Sequence, residues 1–185
     1  MNSYKALTTQ VFSNDEYRIV PIRIEDRYDI MRWRNEQIYH LRQNKPLTKK
    51  DQDNYFENVV SKLFDQDKPS QFLFSFLKNN VCVGYGGLVH INWIDKNAEI
   101  SFIMDTKSED IYFEKYWTIY LDLIEKLAFQ ELKIHKLYVY AFDLRPHLYK
   151  VLKKNDYYLD AILKEHCYFN NRYLDVVIHS KIDSK

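Results

Sequence analysis

The stretch Val81–Asp105, VCVGYGGLVHINWIDKNAEISFIMD, decides the fold. It holds all three glycines of a 185-residue chain, Gly84, Gly86 and Gly87. A chain that spends glycine at one place needs an unusual backbone there, a bulge or a close approach. Around the cluster, Val81–Trp93 reads as a long strand, Ile94-Asp95-Lys96-Asn97 as a turn, and Ala98–Asp105 as the next strand. Upstream, Gln71–Leu77 is an aromatic-rich strand joined to Val81 by the turn signal Lys78-Asn79-Asn80. Three strands in succession make an antiparallel meander.

Beyond Asp105 the hydrophobic period changes from 2 to 3.6. Phe113, Trp117, Tyr120, Ile124 and Leu127 fall on one face of a helix ending near Leu132. Lys136–Phe142 is again a strand, so a βαβ crossover pairs at least two strands in parallel. Leu144, Leu148, Val151 and Leu152 mark a short helix, with Pro146 tolerable in its first turn. Tyr157–Phe169 and Arg172–His179 form a closing hairpin around Asn170-Asn171. On the N-terminal side, residues 1–15 read as a loose or edge arm. Tyr17–Arg23 is a strand with Pro21 at an edge position. Ile24–His40 is a helix broken near Asn35, and Thr48 with Asp51 resembles a capping box opening a helix to about Leu63. The expectation is one α/β (α+β) domain over 1–185, a mixed sheet of about seven strands with helices on both faces.

Composition narrows the function classes. Hydrophobic residues make up 46% of the chain, enough for a core. The 27 basic residues against 26 acidic ones argue against a protein that grips nucleic acid phosphates. No stretch approaches ~18 uninterrupted apolar residues, so no membrane span is expected. The N-terminus lacks a signal-peptide pattern. Cys82 and Cys167 read as reduced thiols in a cytoplasmic protein. The six His show no HxxxH spacing and the two Cys no CxxC, which gives no support for a metal site.

The element order resembles the GNAT acetyltransferase fold over about residues 17–181. Met31-Arg32-Trp33-Arg34-Asn35 is similar to the WRN stretch of sugar-amine and ribosomal-protein acetyltransferases. Val83–Leu88 followed by Asn97–Phe102 looks like that group's central hairpin. Phe142–Tyr149 (FDLRPHLY), Glu165-His166 and Asp175–His179 resemble acetyltransferases of surface-polysaccharide synthesis. The resemblance implies acetyl-CoA as cosubstrate and direct transfer to an amine. It implies that Ala98–Asp105 splays from its neighbour, so that backbone groups of Phe102, Ile103 and Met104 pair with the pantetheine arm. The following helix would offer its N-terminal amides to the pyrophosphate. In this chain that stretch, Thr106–Tyr116, has no Gly and carries Glu109, Asp110 and Glu114, with Lys107 and Lys115 as offsetting cations and Tyr116 at its end. Arg145, Tyr149 and Lys153 share one helical face that could contact CoA, with Tyr149 as acid toward the thiolate.

Glu99, on the central strand, is the candidate base, and His90, an imidazole on the preceding strand, the alternative. The competing reading of each is an ordinary strand residue, the more frequent role of a lone strand His. Trp33, Arg34 and Asn35 would line the acceptor side, with Arg34 suited to a phosphate; Trp33 is as readily core. His166 could bond a sugar hydroxyl. The leading function is N-acetylation of a small amine, an amino sugar and possibly a nucleotide-linked one. The competing readings are acetylation of a protein N-terminus and a GNAT-fold binding protein without catalysis, the latter motivated by the glycine-free acidic stretch. The final hairpin and exposed aromatics are compatible with a homodimer.

Overall fold

The computed structural model describes residues 3–183 and forms one eight-stranded sheet in the order β1-β2-β3-β4-β5-β6-β8-β7. The strands are β1 (Phe12–Asn14), β2 (Tyr17–Pro21), β3 (Phe72–Lys78), β4 (Val81–Asn92), β5 (Asn97–Met104), β6 (Lys136–Phe142), β7 (Tyr158–Phe169) and β8 (Arg172–Ile182). The helices are α1 (Arg27–Glu36), α2 (Lys49–Tyr55), α3 (Ser61–Leu63), α4 (Thr106–Glu125) and α5 (Pro146–Lys154). Thr48 closes a capping box with Asp51 at the start of α2, and a π turn over Phe56–Val60 carries the helix into α3. The eighth strand, beyond the seven expected, is β1, which comes from the N-terminal arm.

From residue 3 onward that arm is packed against the sheet. Tyr4 is buried, and its hydroxyl donates to the Leu73 carbonyl at 2.9 Å and accepts from the Leu73 amide at 2.8 Å. β1 then forms one edge of the sheet. Pro21 lies past the end of β1, where the outer side of β2 has no strand beside it, as its missing N–H requires. The other edge is β7, which exposes Tyr158, Leu159 and Ile162.

The meander forms as read. Asn79 and Asn80 take positive φ in the β3–β4 turn, and so do Asn170 and Asn171 between β7 and β8. The glycines serve close approach. A Cβ on Gly86 would stand 2.0 Å from the Ser101 carbonyl and 2.6 Å from the Tyr120 hydroxyl. That hydroxyl donates to the Ser101 carbonyl at 3.1 Å, and the Tyr120 ring stacks on Phe102 at 4.0 Å, so α4 lies close over the hairpin. The register slips once beside the cluster, opposite Phe76/Leu77, and again between Val89 and Asn92.

The crossover through α4 makes β5 and β6 parallel, as expected, but for only three residue pairs, from Asn97↔Lys136 to Glu99↔Tyr138. Beyond Glu99 the two strands part. α1 and α2 cover one face of the sheet and α4 and α5 the other. Phe102 turns to Trp117 and Tyr120 of α4, while Tyr85, opposite Ile103, turns to Arg34 of α1. Among the described residues no helix is long and apolar enough to cross a membrane.

Candidate active site

The parting of β5 and β6 opens a wedge lined by Glu99–Ile103 on one wall and Val139–Phe142 on the other. His40, Leu41 and Arg42 close it on the α1 side, and Trp117, Arg145 and Leu148 on the α4–α5 side. Of these, Glu99 stands out. It is 4% exposed, yet ionisable, in a region where an unpaired carboxylate would be costly. Two neighbours meet it. His90 Nδ1 is 2.8 Å from Oε2, and Arg42 Nη2 donates to Oε1 at 2.5 Å. The two residues weighed as alternative bases are therefore one pair.

The backbone explains how His90 arrives. It has φ 49°, a left-handed conformation that costs a non-glycine residue energy, at the second register slip of β4. A regular strand would carry its side chain elsewhere. Arg42 comes from the loop after α1, and its guanidinium also lies 4.6 Å from the centroid of the Tyr140 ring on the opposite wall. Burial and then the Cys167 contact push the Tyr140 phenol up to about 12, so it stays protonated.

Two spaces adjoin the wedge on the α1–α2 side. A cavity of about 360 Å³ meets it at Ser101 and is walled by Ile22, Ile30, Phe56, Leu73 and Val89, with Arg34, Gln52 and Tyr85 among its polar groups. Arg34 Nη1 donates to the Tyr85 hydroxyl at 2.6 Å and Nε to Gln43 at 2.9 Å, both neutral partners. Asp51, the one carboxylate in that lining, is spent on the Thr48 cap. The second space is an open cleft of about 550 Å³ between the loop Leu41–Asn44 and the β7–β8 turn, with Gln43, Asn44, Asn170 and Asn171 among Tyr168 and Phe169. Arg42 lines both cleft and wedge.

Several expected site residues lie elsewhere. Trp33 is core. Asn35 holds the loop rather than a ligand: its carbonyl oxygen accepts from the Leu47 amide at 2.7 Å and from Gln43, and its amide donates to the Leu47 carbonyl at 2.9 Å. Tyr116 is core, against Tyr17 and Phe76. Lys115 lies over Tyr17 and near Glu16, on the β1–β2 side. His166 is exposed on β7, its ring 6.2 Å from that of Tyr140. Tyr149 does not face the wedge. Its hydroxyl donates to Asp143 at 3.0 Å, its ring stacks on His179, and burial with the Asp143 charge pushes the phenol up. Arg145, Tyr149 and Lys153 form no common face, because Arg145 is the N-cap of α5, with φ −129°, and turns inward.

Phe102 and Ile103 do line the wedge, but the Met104 carbonyl is taken by Gln37 at 2.8 Å. The stretch after Asp105 is helix from Thr106 onward, so no phosphate-cradling loop intervenes between β5 and α4. Lys107 is exposed in the first turn of that helix. Sequence reasoning missed Arg42 and Gln37. Arg42 sits in a polar loop with no periodicity to mark it. Gln37 could have been suspected as the polar residue that ends the helix break.

Residues 19–178 match the profile of the acetyltransferase (GNAT) domain, and the chain belongs to that family. No curated protein matches it. Among solved structures, the spermidine N-acetyltransferase of Vibrio cholerae with CoA and spermine aligns at TM-score 0.78 and 17% identity, over 93% of this chain and 98% of its own. A dodecameric form of the Vibrio cholerae spermidine N-acetyltransferase aligns at TM-score 0.73 and 16% identity, over 92% and 96%. A probable acetyltransferase aligns at TM-score 0.75 and 16% identity, over 94% and 97%. At such identities the likeness is one of fold.

Proposed function

We propose that this chain transfers an acetyl group from acetyl-CoA to a small amine, with Glu99 and His90 taking the amine proton. The observation that carries the proposal is a buried carboxylate held between an imidazole and a guanidinium where two parallel strands part. The cosubstrate supplies the acetyl group as a thioester. The amine lone pair forms the C–N bond, the C–S bond breaks, and its electron pair leaves on sulfur. Glu99 accepts the amine proton directly or through one water, and His90, half open to solvent, carries it out. Arg42 orients the carboxylate through its hydrogen bond to Oε1.

For the acceptor, we propose an amino sugar. The open cleft beside Arg42 combines amides with aromatic rings, the chemistry that suits a sugar. Arg34, a cation without a carboxylate partner among the described residues, suits a phosphate or other anion on the acceptor. A polyamine would need free carboxylates, and the cavity beside Arg34 offers only the committed Asp51.

The test is thiol release from acetyl-CoA with three acceptor sets: nucleotide-linked and phosphorylated amino sugars, spermidine, and peptides with free N-termini. Turnover confined to the sugars is expected. Turnover confined to spermidine or to peptides would replace the acceptor assignment. No turnover with any amine, and no CoA binding in calorimetry, would leave a GNAT-fold binding protein.

A further inference from the structure

Beyond the wedge on the α4–α5 side lies a surface groove lined by Glu109, Asp110, Phe113, Glu114, His147 and Lys150. Between the two stands a buried ion pair. Arg145 Nη2 donates to Glu109 Oε1 at 2.7 Å, with side chains 7% and 17% exposed. Arg145 Nη1 faces the His40 ring at 3.1 and 3.3 Å, and the guanidinium carbon lies 5.0 Å from the Phe113 ring centroid. Its Nε is buried without a partner among the described residues. A guanidinium with five N–H donors is thus only partly used.

Glu109 sits in the first turn of α4, whose N-cap residue Asp105 makes no side-chain cap bond. Two positive features therefore converge on this carboxylate, the amide end of a 20-residue helix and the guanidinium of Arg145. This is the construction of an anion site, and the anion held there is the chain's own. The pair is also a costly one. Burial raises the Glu109 carboxyl against the pull of Arg145, and burial lowers Arg145. Burial, with the Arg145 charge added, pushes His40 down to about 3, so His40 is a neutral neighbour. A desolvated pair with an unmet donor can be exchanged for an anion that brings more acceptor oxygens.

We infer that Arg145 is the cation that holds the diphosphate of the nucleotide cosubstrate, and that Glu109 is a resident counter-anion which this diphosphate displaces. The inference rests on the acetyltransferase reading. It gives this chain an anion site made by a side chain where the stretch 106–116 has no glycine to make one from backbone. It also makes Glu109 a limit on affinity: every cosubstrate that enters must unseat it, and it helps the product CoA to leave.

The experiment is calorimetric titration of the full chain with CoA, for the natural sequence, Glu109→Gln, Asp110→Asn, Arg145→Met and the double variant Glu109→Gln/Arg145→Met, with circular dichroism to check folding. Glu109→Gln keeps size and removes the competing charge, and should tighten CoA about tenfold, the scale of one charge-assisted contact. Asp110→Asn, at an exposed carboxylate of the same groove that does not pair with Arg145, should change it less than about threefold, as solvent-screened charges do. In the Arg145→Met background the gain from Glu109→Gln should vanish. Inorganic pyrophosphate should compete with CoA, and better against Glu109→Gln. Unchanged or weaker binding by Glu109→Gln, or an equal gain from Asp110→Asn, overturns the inference and leaves the acetyltransferase reading in place. Absence of CoA binding by every variant overturns both. If Arg145→Met does not fold, Glu109→Gln against Asp110→Asn still decides.

Discussion

At the residue scale, Glu99 and Tyr149 make opposite predictions. Glu99→Gln keeps both hydrogen-bonded neighbours but removes the proton acceptor, and should lower kcat by about 10²-fold or more with CoA affinity unchanged. Tyr149→Phe should leave turnover within about threefold, because its hydroxyl is spent on Asp143 outside the wedge. Steady-state kinetics checks both. His40 gives a pH prediction. In the unfolded chain it takes a proton near 6.5, while in the fold it resists until about 3. The unfolded state binds the extra proton across that window, so stability falls as pH drops from 6.5. His40→Gln should flatten that fall by about 1 kcal/mol per pH unit, read from urea melts between pH 7 and 5. Glu99 was legible in the sequence because a carboxylate on a strand between Ala98 and Ile100 has to be explained. Arg42 was not, since its partner lies 57 positions away and nothing local marks it.

At the scale of elements, the sequence carried the meander, the crossover and the closing hairpin through periodicity and paired asparagines. It did not carry β1, three residues whose strand character comes from pairing with β2 rather than from any pattern. Nor did it reveal that α4 starts directly at Thr106, or that within its glycine-free acidic stretch Glu109 pairs with Arg145 at the N-cap of α5. That pairing spans two helices and has no sequence signature. The glycine cluster makes a prediction of its own. Gly86→Ala would drive a methyl group into the Ser101 carbonyl and under Tyr120, and should destabilise the fold by about 1–3 kcal/mol in chemical denaturation.

At the scale of the whole molecule, the N-terminal arm ties the β2–β3 end of the sheet together. Tyr4→Phe removes both bonds to Leu73 and should cost about 1–3 kcal/mol, visible as a lower urea midpoint with the m-value unchanged. The sheet is otherwise continuous from β1 to β7 except where β5 and β6 separate after Glu99. That break turns the protein into its own reporter. Main-chain N–H groups of β5 that face β4 are locked in a ladder, while those facing the gap past Glu99 have no strand across from them. In deuterated water the second set should exchange early in the free protein and slow down when CoA is added. The amides that report ligand entry would be the ones that geometry has left unlaced, in the middle of a sheet whose other central amides stay closed.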